Sequence, residues 1–217
     1  MSLVVADVPA DSFDATAIEA RLSDLDWVSR CGAAHHAVPD ALSESHAVIP
    51  LRLFTLFSTE AKALSTFRKS KARIGKALAR VKGRQEWVLR IGRPDPGKVV
   101  ARPEARTKPS HGGDGKTGTS FLQAKAGVKR DRSERARRVA TEATRVFERL
   151  DALADASTAR PIPPGTNLLL DAAFLIPKRR TAALQRTLTE QAQVLLDDGC
   201  QVSLTGPWPP YSFASID

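Results

Sequence analysis

The sequence holds little with which to cross-link, chelate or catalyse: two cysteines, four histidines, one methionine and one tyrosine in 217 residues, with aromatics at 6%. Cys31 and Cys200 stand far apart and form neither a spaced disulfide framework nor a CxxC metal half-site, so both are expected as reduced, partly buried thiols. Met1 to Val8 has no basic segment and reaches Asp7 before the apolar stretch of a secretory signal develops. The longest apolar run, Leu168 to Ile176, is interrupted by Asp171 and is about half as long as a membrane-spanning helix requires. A cytoplasmic protein without a membrane partner is expected.

Catalytic signatures are equally sparse. There is no GxSxG elbow, and Cys31 lacks the local pattern of a catalytic thiol. Gly115-Lys116-Thr117 resembles the end of a phosphate-binding loop, but that loop needs glycine where Ser110 stands and a buried strand before it, where Ala105 to Ser110 is polar and broken by Pro109. His35 and His36 are neighbours on a helical segment and so point about 100° apart. With His46 they do not reproduce an HExxH arrangement, and one packed and one exposed histidine are expected. No enzyme activity, cofactor, metal or small-molecule substrate is expected.

What the chain does have is length, apolar content and segregated charge. Hydrophobic residues at 42% and charged residues at 26% are the composition of a globular protein. The net charge of +9 is uneven: residues 1–61 carry three arginines against nine Asp/Glu, whereas residues 62–93 carry eleven Lys/Arg against Glu86 alone. Such concentrated basicity points to an acidic partner or an anionic surface more than to a fold.

Along the chain, Ser2 to Val8 reads as a strand closed by Pro9. Asp14 to Leu22 reads as a short helix, and Asp26 to Leu42 as a longer one capped by Asp24 or Asp26 and weakened by Pro39. His46 to Phe57 is apolar and β-branched, and predicts a strand with Pro50 at an edge or bulge. Leu64, Phe67, Ile74, Leu78 and Val81 stripe one helix running to about Lys82, ended by Gly83, and Glu86 to Ile91 alternates as a second strand. Residues 92–118 are expected to form a mobile surface loop, followed by a helical insertion over 119–154. Asn167 to Ile176, Lys178 to Asp197 and Cys200 to Thr205 then read as strand, helix and strand.

This order predicts an α+β protein of modified ferredoxin-like type: two βαβ units, 46–91 and 167–205, with a helical insertion. A small N-terminal αβ domain over 1–44 precedes a domain over 45–217 that ends in a proline-aromatic tail, 206–217.

Two surfaces are candidates for partner binding. On the basic helix, Arg68, Lys69, Arg73, Lys76 and Arg80 are compatible with a cationic surface opposite the apolar stripe. Phosphate backbones fit such a face, yet the helix has no aromatic outside its core stripe on which bases would stack, so nucleic acid or an anionic surface is the alternative partner rather than the leading one. In the tail, Thr205 to Phe213 (TGPWPPYSF), prolines preclude a helix, and Trp208, Pro209, Pro210, Tyr211 and Phe213 concentrate rigid aromatic area. These rings either staple the tail to the domain or anchor a partner.

TGPWPPYSF, together with VIPLRLFTLF (48–57), EWVLRI (86–91) and AAHHAV (33–38), resembles the gas vesicle protein L/F family across residues 33–213. The second stretch looks like the family's VLPLRFGTxF, with Phe54 where the family has glycine. The aromatic YxYG strand with which members usually begin has no counterpart before Ser2: either this member is naturally short or its true start lies upstream, and in the first case the N-terminal element is expected to lack one strand. The resemblance implies a role in gas vesicle assembly, as a minor component or chaperone-like accessory. Its partners would be the small hydrophobic shell protein and other gas vesicle accessory proteins, and its location the gas vesicle.

Overall fold

The structure, a computed structural model, describes residues 1–93 and 118–214. The expected loop over 92–118 lies outside the described residues except for its ends, as do Gly115-Lys116-Thr117 and residues 215–217 of the tail.

Helices open the chain: α1 (Ala10–Phe13), α2 (Ala15–Arg21) and α3 (Leu25–Ser43). The Asp14 carboxylate accepts the Ala17 N–H at 2.7 Å and that of Asp24 the Trp27 N–H at 3.0 Å, each satisfying a donor that the first turn leaves open. α3 continues through Pro39, which is buried.

Two expected strands do not form. Ser2 to Val8 joins no ladder and leaves Val4 and Val5 more than half exposed; β-branched residues favour a strand only where a neighbour pairs with them. His46 to Phe57 also stays outside the sheet. Pro50 lacks a ladder donor, and Phe54 takes φ 62°, which ends an extended run. A turn closes there, with the Thr55 N–H and hydroxyl both donating to the Arg52 carbonyl. The apolar side chains of this segment pack through rings instead: Phe54 stacks on Trp27 at 5.4 Å and Phe57 meets Phe67 edge-on at 5.8 Å. Phe54 thus adopts the left-handed backbone that favours glycine. That conformation costs a side-chain-bearing residue about 1–2 kcal/mol, which its stacking offsets.

The single basic helix expected to run to about Lys82 is two, α4 (Glu60–Lys69) and α5 (Lys71–Val81), parted at Ser70, where ψ of 12° leaves the helical range. Thr59 caps the first, and Gly83, at φ 71°, follows the second.

Four strands make one sheet in the order β2-β3-β1-β4: β1 (Arg84–Gly92), β2 (Ala156–Ala159), β3 (Leu168–Pro177) and β4 (Gln201–Trp208). The β1–β3 pair is antiparallel, since the Arg93 N–H bonds the Asn167 carbonyl at one end and the Lys178 N–H bonds the Gly83 carbonyl at the other. The expected βαβ unit over 46–91 therefore does not exist. Its place in the sheet is taken by β2, four residues of Ala, Ser and Thr with no strand pattern of their own. α6 (Gly118–Asp151) connects β1 to β2, and α7 (Thr181–Asp197) connects β3 to β4.

The chain divides into two compact units. One holds residues 1–87, 175–178 and 206–214, and the other residues 88–93, 118–174 and 179–205. The expected 1–44 and 45–217 division follows chain order; the units do not. In the second unit the core is Leu89, Ile91, Val139, Val146, Leu150, Phe174, Leu184 and Leu195, with Phe147 against Phe174 at 5.4 Å. α6 carries the periodicity expected of a helical insertion, and that periodic face is core. Asp198, at the end of α7, is 5% exposed and accepts from both Arg138 and Arg135 of α6. Cys31 and Cys200 are free thiols, and burial pushes the Cys200 thiol up.

A candidate docking site on the C-terminal tail

After β4 the chain turns at once, with the Tyr211 N–H donating to the Pro209 carbonyl and the Phe213 N–H to that of Pro210. The segment is then anchored from both sides. Pro209, Pro210, Phe213 and Ala214 are buried. Glu86, 2% exposed, accepts the Ser212 N–H at 2.7 Å on one carboxyl oxygen and the Ser212 hydroxyl at 2.8 Å on the other. A buried carboxyl group requires partners of this kind, so the pair fixes where the tail lies.

Trp208 and Tyr211 are held differently, at 39% and 38% exposed. His36 of α3 sits between them, its ring 5.3 Å from that of Trp208 and 5.8 Å from that of Tyr211. The Tyr211 hydroxyl and His36 Nδ1 are hydrogen-bonded at 3.2 Å, with the donor set by the imidazole tautomer. Burial, then the charges of Asp40 and Glu86, push the Tyr211 phenol up.

The five tail residues singled out in the sequence thus separate by role. Pro209, Pro210 and Phe213 staple the segment, while Trp208 and Tyr211 present ring area to solvent. Arg68 on α4 and Arg73, Lys76 and Arg80 on α5 are all exposed; the last three fall within an arc of about 60° at 100° per residue. Ser70 separates Arg68 from the other three, and Phe67 is engaged with Phe57. Sequence reasoning missed Glu86, Ser212 and the contact of His36 with the tail. A lone acidic residue opening an apolar strand was the available signal for the first.

Among the described residues no His/Cys/Asp/Glu group is arranged to hold a metal, and no helix is long and apolar enough to cross a membrane. Recesses lined by Gln185, Arg186, Thr189 and Glu190 on α7, and by Glu134 and Arg138 on α6, are open troughs along one helix each, and the Thr189 hydroxyl donates to the Gln185 carbonyl of its own helix.

Residues 1–215 match the family described as gas vesicle synthesis protein GvpL/GvpF. Gas vesicle protein L of Streptomyces sp. (strain CB03234) is 32% identical over 220 residues, covering 98% of this chain and 79% of that one. Among solved structures, gas vesicle protein GvpF from Anabaena sp. PCC7120 superposes with a TM-score of 0.59 at 17% identity, covering 83% of this chain and 72% of that one. GvpF from Microcystis aeruginosa gives 0.57 at 16% identity, with coverage of 84% and 75%. The fold is therefore that of the GvpF structures, and the whole-length match makes this chain a member of the gas vesicle GvpL/GvpF family.

Proposed function

We propose that this protein is a non-enzymatic accessory of gas vesicle assembly, located at the gas vesicle, that binds the shell protein and other gas vesicle proteins through the exposed rings of its tail. The observation that carries the reading is the division of labour within one short segment. Trp208 and Tyr211 stay more than a third exposed while the residues around them are clamped. Large rings held rigid in solvent lose little entropy on binding, which is why Trp and Tyr dominate interface hot spots. An assembling shell protein exposes apolar faces and strand edges that such a surface would cover.

The sheet order supports the ferredoxin-like reading in altered form. The run β1-α6-β2-β3-α7-β4 with strand order β2-β3-β1-β4 is a split βαβ arrangement, α6 serving as its first crossover. Nucleic acid remains the disfavoured partner, because the exposed rings lie on the tail and not on α4 or α5.

Co-expression with the shell protein tests the proposal. Trp208→Ala combined with Tyr211→Ala is expected to weaken co-purification at least about thirtyfold, the equivalent of one hot spot of about 2 kcal/mol. Undiminished co-purification by a folded double variant would reject the tail as the docking surface.

A further inference from the structure

We propose that this protein associates with itself head to tail, the basic face of α5 in one copy seating the acidic surface around Trp27 of the next. The proposal does not depend on the aromatic tail.

Eight lysines and arginines lie between Lys62 and Lys82 with no acidic residue among them, and all eight are exposed. Between Asp7 and Asp26 stand six Asp/Glu against Arg21 alone, and all six are exposed. The acidic residues are gathered by packing. Phe13 lies 6.0 Å from Trp27, which stacks on Phe54, so the ends of α1 and α2 and the start of α3 meet around one ring. Asp11, Asp14, Asp24 and Asp26 flank that ring along the chain. Arg21 is held over the Trp27 ring at 5.5 Å, leaving the surface strongly negative.

Both surfaces belong to the same compact unit, yet among the described residues no ion pair joins them. Each is therefore solvated in the isolated chain, and each meets its complement on a second copy. Single exposed ion pairs contribute about 0–1 kcal/mol, so the association rests on summed fields over a patch and is weak and salt-sensitive. Because the two patches differ, the contact is heterologous and leaves a free patch at each end, which propagates into open chains or closes as a ring.

Sedimentation velocity of the full chain over a concentration series, at about 0.03 M and about 0.5 M salt, reads this directly. At low salt the average mass is expected to rise with concentration, and the apparent affinity to fall at least about tenfold at high salt. Arg73→Glu with Lys76→Glu and Arg80→Glu alters only exposed positions and is expected to stay monomeric in both buffers, with an unchanged circular dichroism melt. Asp11→Lys with Glu19→Lys and Asp26→Lys spares the capping Asp14 and Asp24 and is expected to stay monomeric as well. Mixing the two variants restores association, since each then offers the charge that the other seeks. A wild-type chain that stays monomeric at low salt overturns the proposal. So does self-association that survives both charge reversals, or a mixture that stays monomeric, or a chain that binds duplex DNA in the same series without associating with itself.

Discussion

Replacing Glu86 with alanine is expected to remove about 3 kcal/mol of stability and to free the tail. The carboxyl group is 2% exposed and takes both donors of Ser212, one on each oxygen. Truncation removes the charged acceptor of both Ser212 hydrogen bonds, at about 1.5–3 kcal/mol each, and also leaves a cavity where the buried carboxyl group stood. Glu86→Gln keeps one acceptor oxygen and is expected to lose about half as much. Because Ser212 follows Tyr211 directly, the alanine variant should also lose the fixed placement of the exposed ring. Its binding to gas vesicle partners is then expected to fall together with the melting midpoint. An unfolding free energy within about 0.5 kcal/mol of wild type by denaturant titration would show that the Glu86–Ser212 pair does not hold the tail.

Gly206→Ala is expected to cost a similar amount for a different reason. Gly206 stands at φ 138°, and a Cβ there would meet the Glu86 carbonyl oxygen at 2.9 Å and the Trp87 ring at 3.1 Å. That backbone conformation is disfavoured by about 1–3 kcal/mol for any other residue, and neither a strand carbonyl nor a buried indole gives way cheaply. Gly83→Ala separates the two terms. Gly83 also has positive φ, at 71°, but nothing lies within 4 Å of its added carbon, so only the left-handed penalty of about 1–2 kcal/mol applies. Equal losses at the two positions would mean that close packing of Gly206 on Glu86 and Trp87 adds nothing.

Much of this was legible in the residues, for local reasons. Asp24 announces a helix start because its side chain satisfies a first-turn donor, and it does so here. The tail announced itself because prolines and rings cannot continue a helix, and its strong match to the family needed no tertiary information. What stayed hidden depends on distant partners. Ser2 to Val8 and His46 to Phe57 have strand composition, but a ladder needs a neighbour, and Phe54 at φ 62° spends the apolar residues on ring packing instead. β2 was invisible because its four small residues are strand only by pairing with β3. Glu86 looked like the solvent side of an alternating strand, whereas β1 is buried on both faces from Glu86 to Leu89. His36 stood out as half of a histidine pair, and only the structure shows that it lies between Trp208 and Tyr211.

Amide hydrogen exchange of the wild-type chain with and without detergent-free shell protein tests the central claim most directly. Added protection is expected in peptides covering Trp208 to Ala214 and in the part of α3 around His36. Protection confined to other segments, with the tail exchanging as fast in the mixture as alone, would contradict the claim that this clamped aromatic surface is where the protein grips its partners.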